Sequence, residues 1–230
     1  MFYFDPRYLI FALPALLLAF YAQVKVKSAY AKYTRVANQR RLTGLDAARI
    51  ILGPEGLDDV SIEGIPGQLT DHYDPRTKKL GLSAGVANQP SVASLAIVAH
   101  EIGHALQDNR GYAPLRLRGA IVPAVQVSAW VAPILFFIGF LLGATSLAWL
   151  GVILFALGAG FALITLPVEF DASRRGLRLL QTYRLTDGRE LQGAKAVLDA
   201  AALTYVAALA QTLATLLYYV SLLTGFGRRD

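Results

Sequence analysis

Hydrophobic and polar positions along this 230-residue chain separate into long blocks instead of alternating throughout. Three blocks contain no Asp, Glu, Lys or Arg: Tyr8–Val24, Gly119–Val168 and Ala200–Gly227. A helix needs about 20 mostly apolar residues to cross the hydrocarbon core of a bilayer. The 50-residue block from Gly119 to Val168 therefore predicts two crossings joined by a turn at "GATS", Gly143–Ser146. The other two blocks predict one crossing each, four in all, with Tyr218 and Tyr219 placed to sit at a membrane interface. The first block reads as a retained anchor: Lys25 and Lys27 follow it, and only Arg7 against Asp5 precedes it. The competing reading is a cleaved signal peptide ending at "AYA", Ala29–Ala31.

Between the blocks the pattern changes period. "KVKSAYAKYTRVANQRR" predicts a basic helical extension of the anchor. "TGLDAARIILG" predicts a short helix with Thr43 as N-cap, Asp46 completing an acidic capping box and Gly53 at its end. "LDDVSIEGI" alternates as a strand does. "GQLTDHYDPRTKKLGLS" predicts a β-hairpin turning at Asp74 and Pro75, with Leu80 and Leu82 on the return arm. "ANQPSVASLAIVAHEIGHALQDNRGY" predicts a helix of four to five turns, capped by Asn88 or Ser91, with Pro90 in its first turn and a stop at Gly111. The expected organisation is an anchor over residues 1–24, a membrane-surface α+β region over 25–118 and a membrane hairpin over 119–168. A helix over 169–199 and a C-terminal membrane helix over 200–230 complete it.

Composition agrees: 55% of residues are hydrophobic and only 17% charged, too apolar for a typical soluble protein. Of the 22 Lys and Arg residues, 13 fall between Val24 and Gly119, six between Val168 and Ala200, and three outside. The positive-inside rule places both inter-helix regions in the cytoplasm, which predicts a multi-pass protein of the cell (inner) membrane. That topology accounts for the net charge of +6, and no basic patch interleaved with aromatic residues argues for nucleic acid. The absence of cysteine removes disulfides, thiol catalysis and thiolate metal ligands.

Candidate chemistry is concentrated in "AHEIGHALQ", which holds two of the three histidines. Residues four apart on a helix share a face, so His100 and His104 can point at one ion while Glu101, one position around, reaches a water there. This is the H-E-x-x-H arrangement of zinc peptidases. A catalytic zinc needs three protein ligands and a water. Asp108 lies two turns, about 12 Å, beyond His100 and cannot share its ion. The position six after His104 is Arg110, and no acid or histidine occurs from Gly119 to Val168. The next acid is Glu169, in "LPVEFDASRRGLRLL". Two crossings separate it from His104, and an even number returns the chain to the same face of the membrane. Without the H-E-x-x-H pair, Glu169, Asp171, Arg174 and Arg175 would read as an ordinary charged helix end.

Taken together, "DHYDPRTKKLGLS", "AHEIGHALQ", "LPVEFDASRRGLRLL" and "AKAVLDAAALTYVA" resemble, in this order, the YugP-like membrane zinc metallopeptidases from about Leu57 to Ala207. The resemblance implies a membrane-bound, Zn2+-dependent peptidase. His100, His104 and Glu169 match its metal-binding positions and Glu101 its catalytic one. The layout is more distantly similar to HtpX-like membrane proteases, which carry an aspartate four residues after the ligand glutamate. Here that position is Ser173, and Asp171 is the candidate replacement.

The expected fold is thus a mainly α membrane protein with about four transmembrane helices and a small α+β, zincin-like domain on the cytoplasmic side. The expected reaction is endopeptidase hydrolysis by metal-activated water with Glu101 as general base, acting on peptide or membrane-protein substrates beside the lipid bilayer. His72, Tyr73, Arg174, Arg175 and Tyr205 are candidate donors to the oxyanion. An extended substrate is expected to add to the edge of the hairpin, with Leu80 and Leu82 as the positions to disrupt. Three other readings compete. An intramembrane protease would have to bury the polar run before His100 and Asp108 after it, at high cost. A transporter would need charge within its spans. A non-proteolytic scaffold or chaperone with a structural zinc leaves the motif intact and is separated only by assay.

Overall fold

The computed structural model describes residues 6–225. Its elements, in chain order, are α1 (Pro6–Thr34), α2 (Gly44–Leu52), β1 (Ser61–Ile65), β2 (His72–Asp74), β3 (Lys79–Ser83), α3 (Ala84–Asn88), α4 (Val92–Asn109), α5 (Ala113–Leu141), α6 (Thr145–Thr182) and α7 (Gly188–Thr224). Among the described residues four helices, α1, α5, α6 and α7, are long and apolar enough to cross a membrane. The fold is mainly helical with one small sheet. The chain divides into two compact units. One comprises the residues up to Ala22, Leu117–Leu166 and those from Thr204 on; the other comprises Gln23–Arg116 and Pro167–Leu203.

In the first unit, α5 and α6 form a hairpin around Leu142–Ala144, where Gly143 adopts φ +67°. Small residues let the two backbones touch: a Cβ at Gly139 would lie 2.3 Å from the Ala148 nitrogen, and one at Gly151 2.6 Å from the Phe136 nitrogen. Lipid offers hydrocarbon as apolar as leucine, so close backbone approach replaces hydrophobic burial as the packing force between such helices. Tyr219 stacks on Phe136 with ring centroids 4.2 Å apart. Large apolar side chains such as Ile10, Trp130 and Leu141 remain exposed, as a lipid-facing surface requires.

The second unit holds the sheet and the motif. Its core gathers Ile51 of α2, Leu80 and Leu82 of β3, Leu95, Val98 and Ile102 of α4, Leu180 of α6 and Val197 of α7. Helix α2 starts at the expected capping box: the Thr43 hydroxyl accepts the Asp46 N–H, and Asp46 returns a bond to the Thr43 N–H. The hairpin also forms where the sequence places it. Asp74 caps its turn by accepting the Arg76 N–H and the Thr77 hydroxyl.

The sheet order is β1-β3-β2, with β1 parallel to β3 and β2 antiparallel to it. Leu80 and Leu82 therefore lie on the central strand. Proline there would break the core, so the exposed edge beside α4 is β2 and not the return arm. The motif helix also differs in detail. A separate turn, α3, ends at Asn88, and α4 begins only after Ser91, whose hydroxyl accepts the Ser94 N–H. Pro90 thus precedes the cap, and His100 sits at mid-helix. The stretch 169–199, expected as one helix, is divided by residues 183–187 between the ends of α6 and α7.

Candidate metal centre

Two glycines bring α4 against the C-terminal part of α6. A Cβ at Gly103 would lie 2.4 Å from the Ala172 carbonyl oxygen, and one at Gly176 2.8 Å from that of Ala99. Side chains longer than hydrogen at these positions would hold the helices apart. With both glycines present, Glu169 is carried onto the face of α4 that bears the histidines.

His100 Nε2 lies 3.3 Å from Glu169 Oε2, and His104 Nε2 lies 3.5 Å from the same oxygen. The two imidazole rings stand nearly perpendicular at 4.7 Å between centroids. One donor atom from each of the three residues falls within 4.8 Å of the others. Glu169 is only 2% exposed, so these groups meet out of bulk water. Among the described residues this is the cluster of three such groups that could hold a metal ion.

The far side of each imidazole supports that fit. His104 Nδ1 lies 3.0 Å from Gln107 Oε1. Gln107 Nε2 donates to the Val168 carbonyl at 2.8 Å and to Asp171 Oδ2 at 2.9 Å. Its amide orientation is thereby set, its oxygen must accept, and His104 must carry its proton on Nδ1. That leaves the Nε2 lone pair for an ion, the tautomer a metal site needs. His100 Nδ1 is 3.1 Å from the Ser173 hydroxyl, which can accept its proton in the same way. The serine at the position where HtpX-like proteases carry aspartate is thus the partner of His100, while Asp171 acts on His104 one step removed, through Gln107. Asp171 is itself held by Arg175 Nε at 2.5 Å, whose guanidinium lies over the Tyr112 ring at 5.7 Å.

Burial pulls His104 toward the neutral form, but the carboxylates of Glu169 and Glu101 outweigh it and leave its pKa above the ordinary value. Glu101 is buried beside the trio, and this desolvation pushes its carboxyl above the ordinary carboxylate value, only partly offset by the two imidazoles. Its Oε2 accepts the Tyr73 main-chain N–H at 3.0 Å. A buried carboxylate with a raised pKa, next to a trio that could hold a metal ion, is suited to taking up a proton.

The remaining candidates separate. His72 is exposed, its Nδ1 donates to the Thr70 carbonyl at 2.9 Å, and its ring covers Gly81. That is a hairpin-packing role. Arg175 is committed to Asp171, and Arg174 is largely exposed. Tyr205 belongs to the first unit. Gln107 is not among the sequence candidates, and Ser173 enters the sequence reading only as the residue at the position of an expected aspartate. Both were within reach of the sequence, since Gln107 follows His104 by three positions and Ser173 follows Glu169 by four, the spacings of side-chain neighbours on a helix.

The chain is similar to known proteins over nearly its whole length. It matches the family described as "Putative neutral zinc metallopeptidase" over residues 8–224. It is 44% identical over 213 residues to the "Putative membrane protease YugP" of Bacillus subtilis (strain 168), covering 93% of this chain and 95% of that protein. No solved structure matches it. With His100, His104 and Glu169 placed so that they could hold a metal ion and, among the described residues, four helices fit to cross a bilayer, the chain belongs to this "Putative neutral zinc metallopeptidase" family.

Proposed function

We propose that this protein is a zinc-dependent endopeptidase anchored in the cell membrane, with its site at the cytoplasmic surface and peptides or loops of membrane and misfolded proteins as substrates. The observation that carries the reading is the convergence of His100, His104 and Glu169 with both imidazoles held through Nδ1. Zinc bound there supplies a Lewis acid that polarises a peptide carbonyl and lowers the pKa of a water. Glu101 takes a proton from the attacking water and returns it to the departing amine nitrogen, for which its desolvated carboxyl is suited. Gln107 and Ser173 keep the imidazole Nε2 atoms aimed inward. The cytoplasmic placement is supported by the 19 Lys and Arg residues in the two regions between charge-free blocks, 13 plus six. The surface placement is supported by Glu169 following the second block directly. Helix α4, with 18 residues, is not among the four membrane-crossing candidates, which disfavours an intramembrane site. At the edge of β2 beside α4 the Tyr73 N–H is given to Glu101, and the Tyr73 carbonyl is the outward main-chain group that an extended substrate can meet.

The test is purification in detergent, zinc quantification and a cleavage assay with Glu101→Gln alongside. The expected result is one zinc per chain in both proteins, with turnover in the variant reduced by about 10²–10⁴-fold, the range for losing a general base. Cleavage that survives the substitution would remove Glu101 from the mechanism. Zinc retained by a wild-type protein that cleaves nothing would favour the scaffold reading.

A further inference from the structure

Asp108 is too far along α4 to share an ion with His100, yet it is not idle. Tyr73 donates its phenolic hydroxyl to Asp108 Oδ2 at 2.9 Å, while its main-chain N–H donates to Glu101 Oε2 at 3.0 Å. Glu101 and Asp108 are seven positions apart, two turns on one face of α4, or about 10 Å along its axis. One tyrosine on the neighbouring strand reaches both.

Tyr73 pairs with Leu80 across the β2–β3 ladder. Its N–H is given to Glu101, so this is a non-hydrogen-bonded pair, and the Tyr73 N–H and C=O both face away from β3. Its neighbours His72 and Asp74 turn their main-chain groups toward β3. Tyr73 therefore supplies the outward main-chain groups at the centre of the three-residue edge, next to the base.

We propose that Tyr73 is a positioning residue of the hydrolytic site: its phenol–Asp108 bond locks the β2 edge lengthwise along α4, so that its main chain meets Glu101 and an extended substrate in fixed register. The lock is a sound one. Burial and Asp108 both push the phenol's pKa up, so it remains a donor, and the ring packs against the core. An edge strand of three residues has little ladder of its own to hold register. Without the phenol bond the strand can slide or lift, and a substrate backbone then meets Glu101 out of alignment.

This inference rests on the peptidase reading, and its test keeps the two apart. Full-length protein in detergent is assayed on a fluorogenic peptide as wild type, Tyr73→Phe, Asp108→Ala, Asp108→Asn and the Tyr73→Phe/Asp108→Ala double variant. Each of Tyr73→Phe and Asp108→Ala is expected to lower kcat/KM about ten-fold, mostly through KM, with zinc content unchanged. The double variant should be no worse than either single one, because both remove the same bond. Asp108→Asn retains an acceptor and should recover to within about three-fold of wild type. Singles whose effects multiply, or a Tyr73→Phe enzyme with wild-type KM, overturn the proposal. If the wild type shows no metal-dependent cleavage, the peptidase reading fails. The lock is then read by hydrogen exchange: amide protection over residues 71–75 should fall alike in both single variants, and unchanged protection overturns it.

Discussion

Replacing Gln107 by leucine keeps nearly the same volume and removes three hydrogen bonds at once. Gln107 is fully buried, and its amide joins His104 Nδ1, the Val168 carbonyl and Asp171. In Gln107→Leu the His104 ring loses the acceptor that fixes its tautomer and orientation. Loss of such an outer partner costs about 10–100-fold in metal affinity, equivalent to about 1.4–2.8 kcal/mol. Stability falls as well. The Nδ1–H of His104 is left unpaired in a buried place, at about 1–3 kcal/mol, whereas Asp171 keeps Arg175 and the Val168 carbonyl is within helix α6. The zinc-free protein should therefore melt lower by about that amount, and zinc binding should weaken in addition. The assay is zinc competition against a chelator in detergent, followed by thermal unfolding with and without metal. Gln107→Glu is the informative companion: it retains an acceptor for His104 but turns a donor toward Asp171 into a like charge. It should hold zinc better than the leucine variant. A leucine variant whose zinc Kd stays within about two-fold of wild type would refute the argument that Gln107 orients His104.

Three further outcomes follow from the packing and the caps. Gly103→Ala places a Cβ 2.4 Å from the Ala172 carbonyl oxygen, so α4 and α6 must separate. We expect a loss of about 2–4 kcal/mol in stability together with zinc, and a variant that retains wild-type zinc content would show that the helix contact is not what sets the trio. Thr43→Ala removes the N-cap of α2 and should cost about 1 kcal/mol with zinc affinity unchanged, since α2 contributes no residue to the cluster. The bonds from Thr43 hold the Asp46 carboxyl below its ordinary value. Its contribution is therefore present above the unfolded carboxylate range near ~4 and is lost as pH falls through the folded value; Asp46→Asn should flatten that part of the acid-unfolding curve, and an unchanged curve would count against the capping box.

Much of the site could be read along the chain because helices convert spacing into direction. His100 and His104 at i and i+4, with Glu101 one step around, share or adjoin one face of any α-helix, which is what lets them read as two candidate ligands and a candidate proton acceptor. Glu169 was within reach by a different route, as the first acid after a charge-free stretch long enough for two crossings. The partners of the imidazoles were harder. Gln107 is a plain i+3 neighbour, but nothing in its spacing says that it is buried or that its amide is oriented from α6. Ser173 stood where an aspartate was expected, and Asp171 was the natural substitute by charge. The structure divides their roles, serine to His100 and aspartate to His104 by way of Gln107, because the helix turn that puts Ser173 under His100 turns Asp171 toward Gln107.

What the sequence by itself determined was everything governed by local period and solvent: the three charge-free blocks, the turn at Gly143, the capping box of α2, the hairpin at Asp74–Pro75 and the helical pairing of the histidines. These depend on hydrophobic transfer and short-range backbone geometry, which neighbouring residues set. Tertiary structure alone decided which strand is central and which is the edge, how closely α4 and α6 approach, and what the far side of each imidazole meets. The last two depend on contacts between residues 60 to 75 positions apart, such as Gly103 with Ala172, Gln107 with Asp171 and His100 with Ser173. No local spacing encodes them. They exist only once two helices with glycines at their crossing come together closely enough for side chains on one to complete the hydrogen bonds of the other.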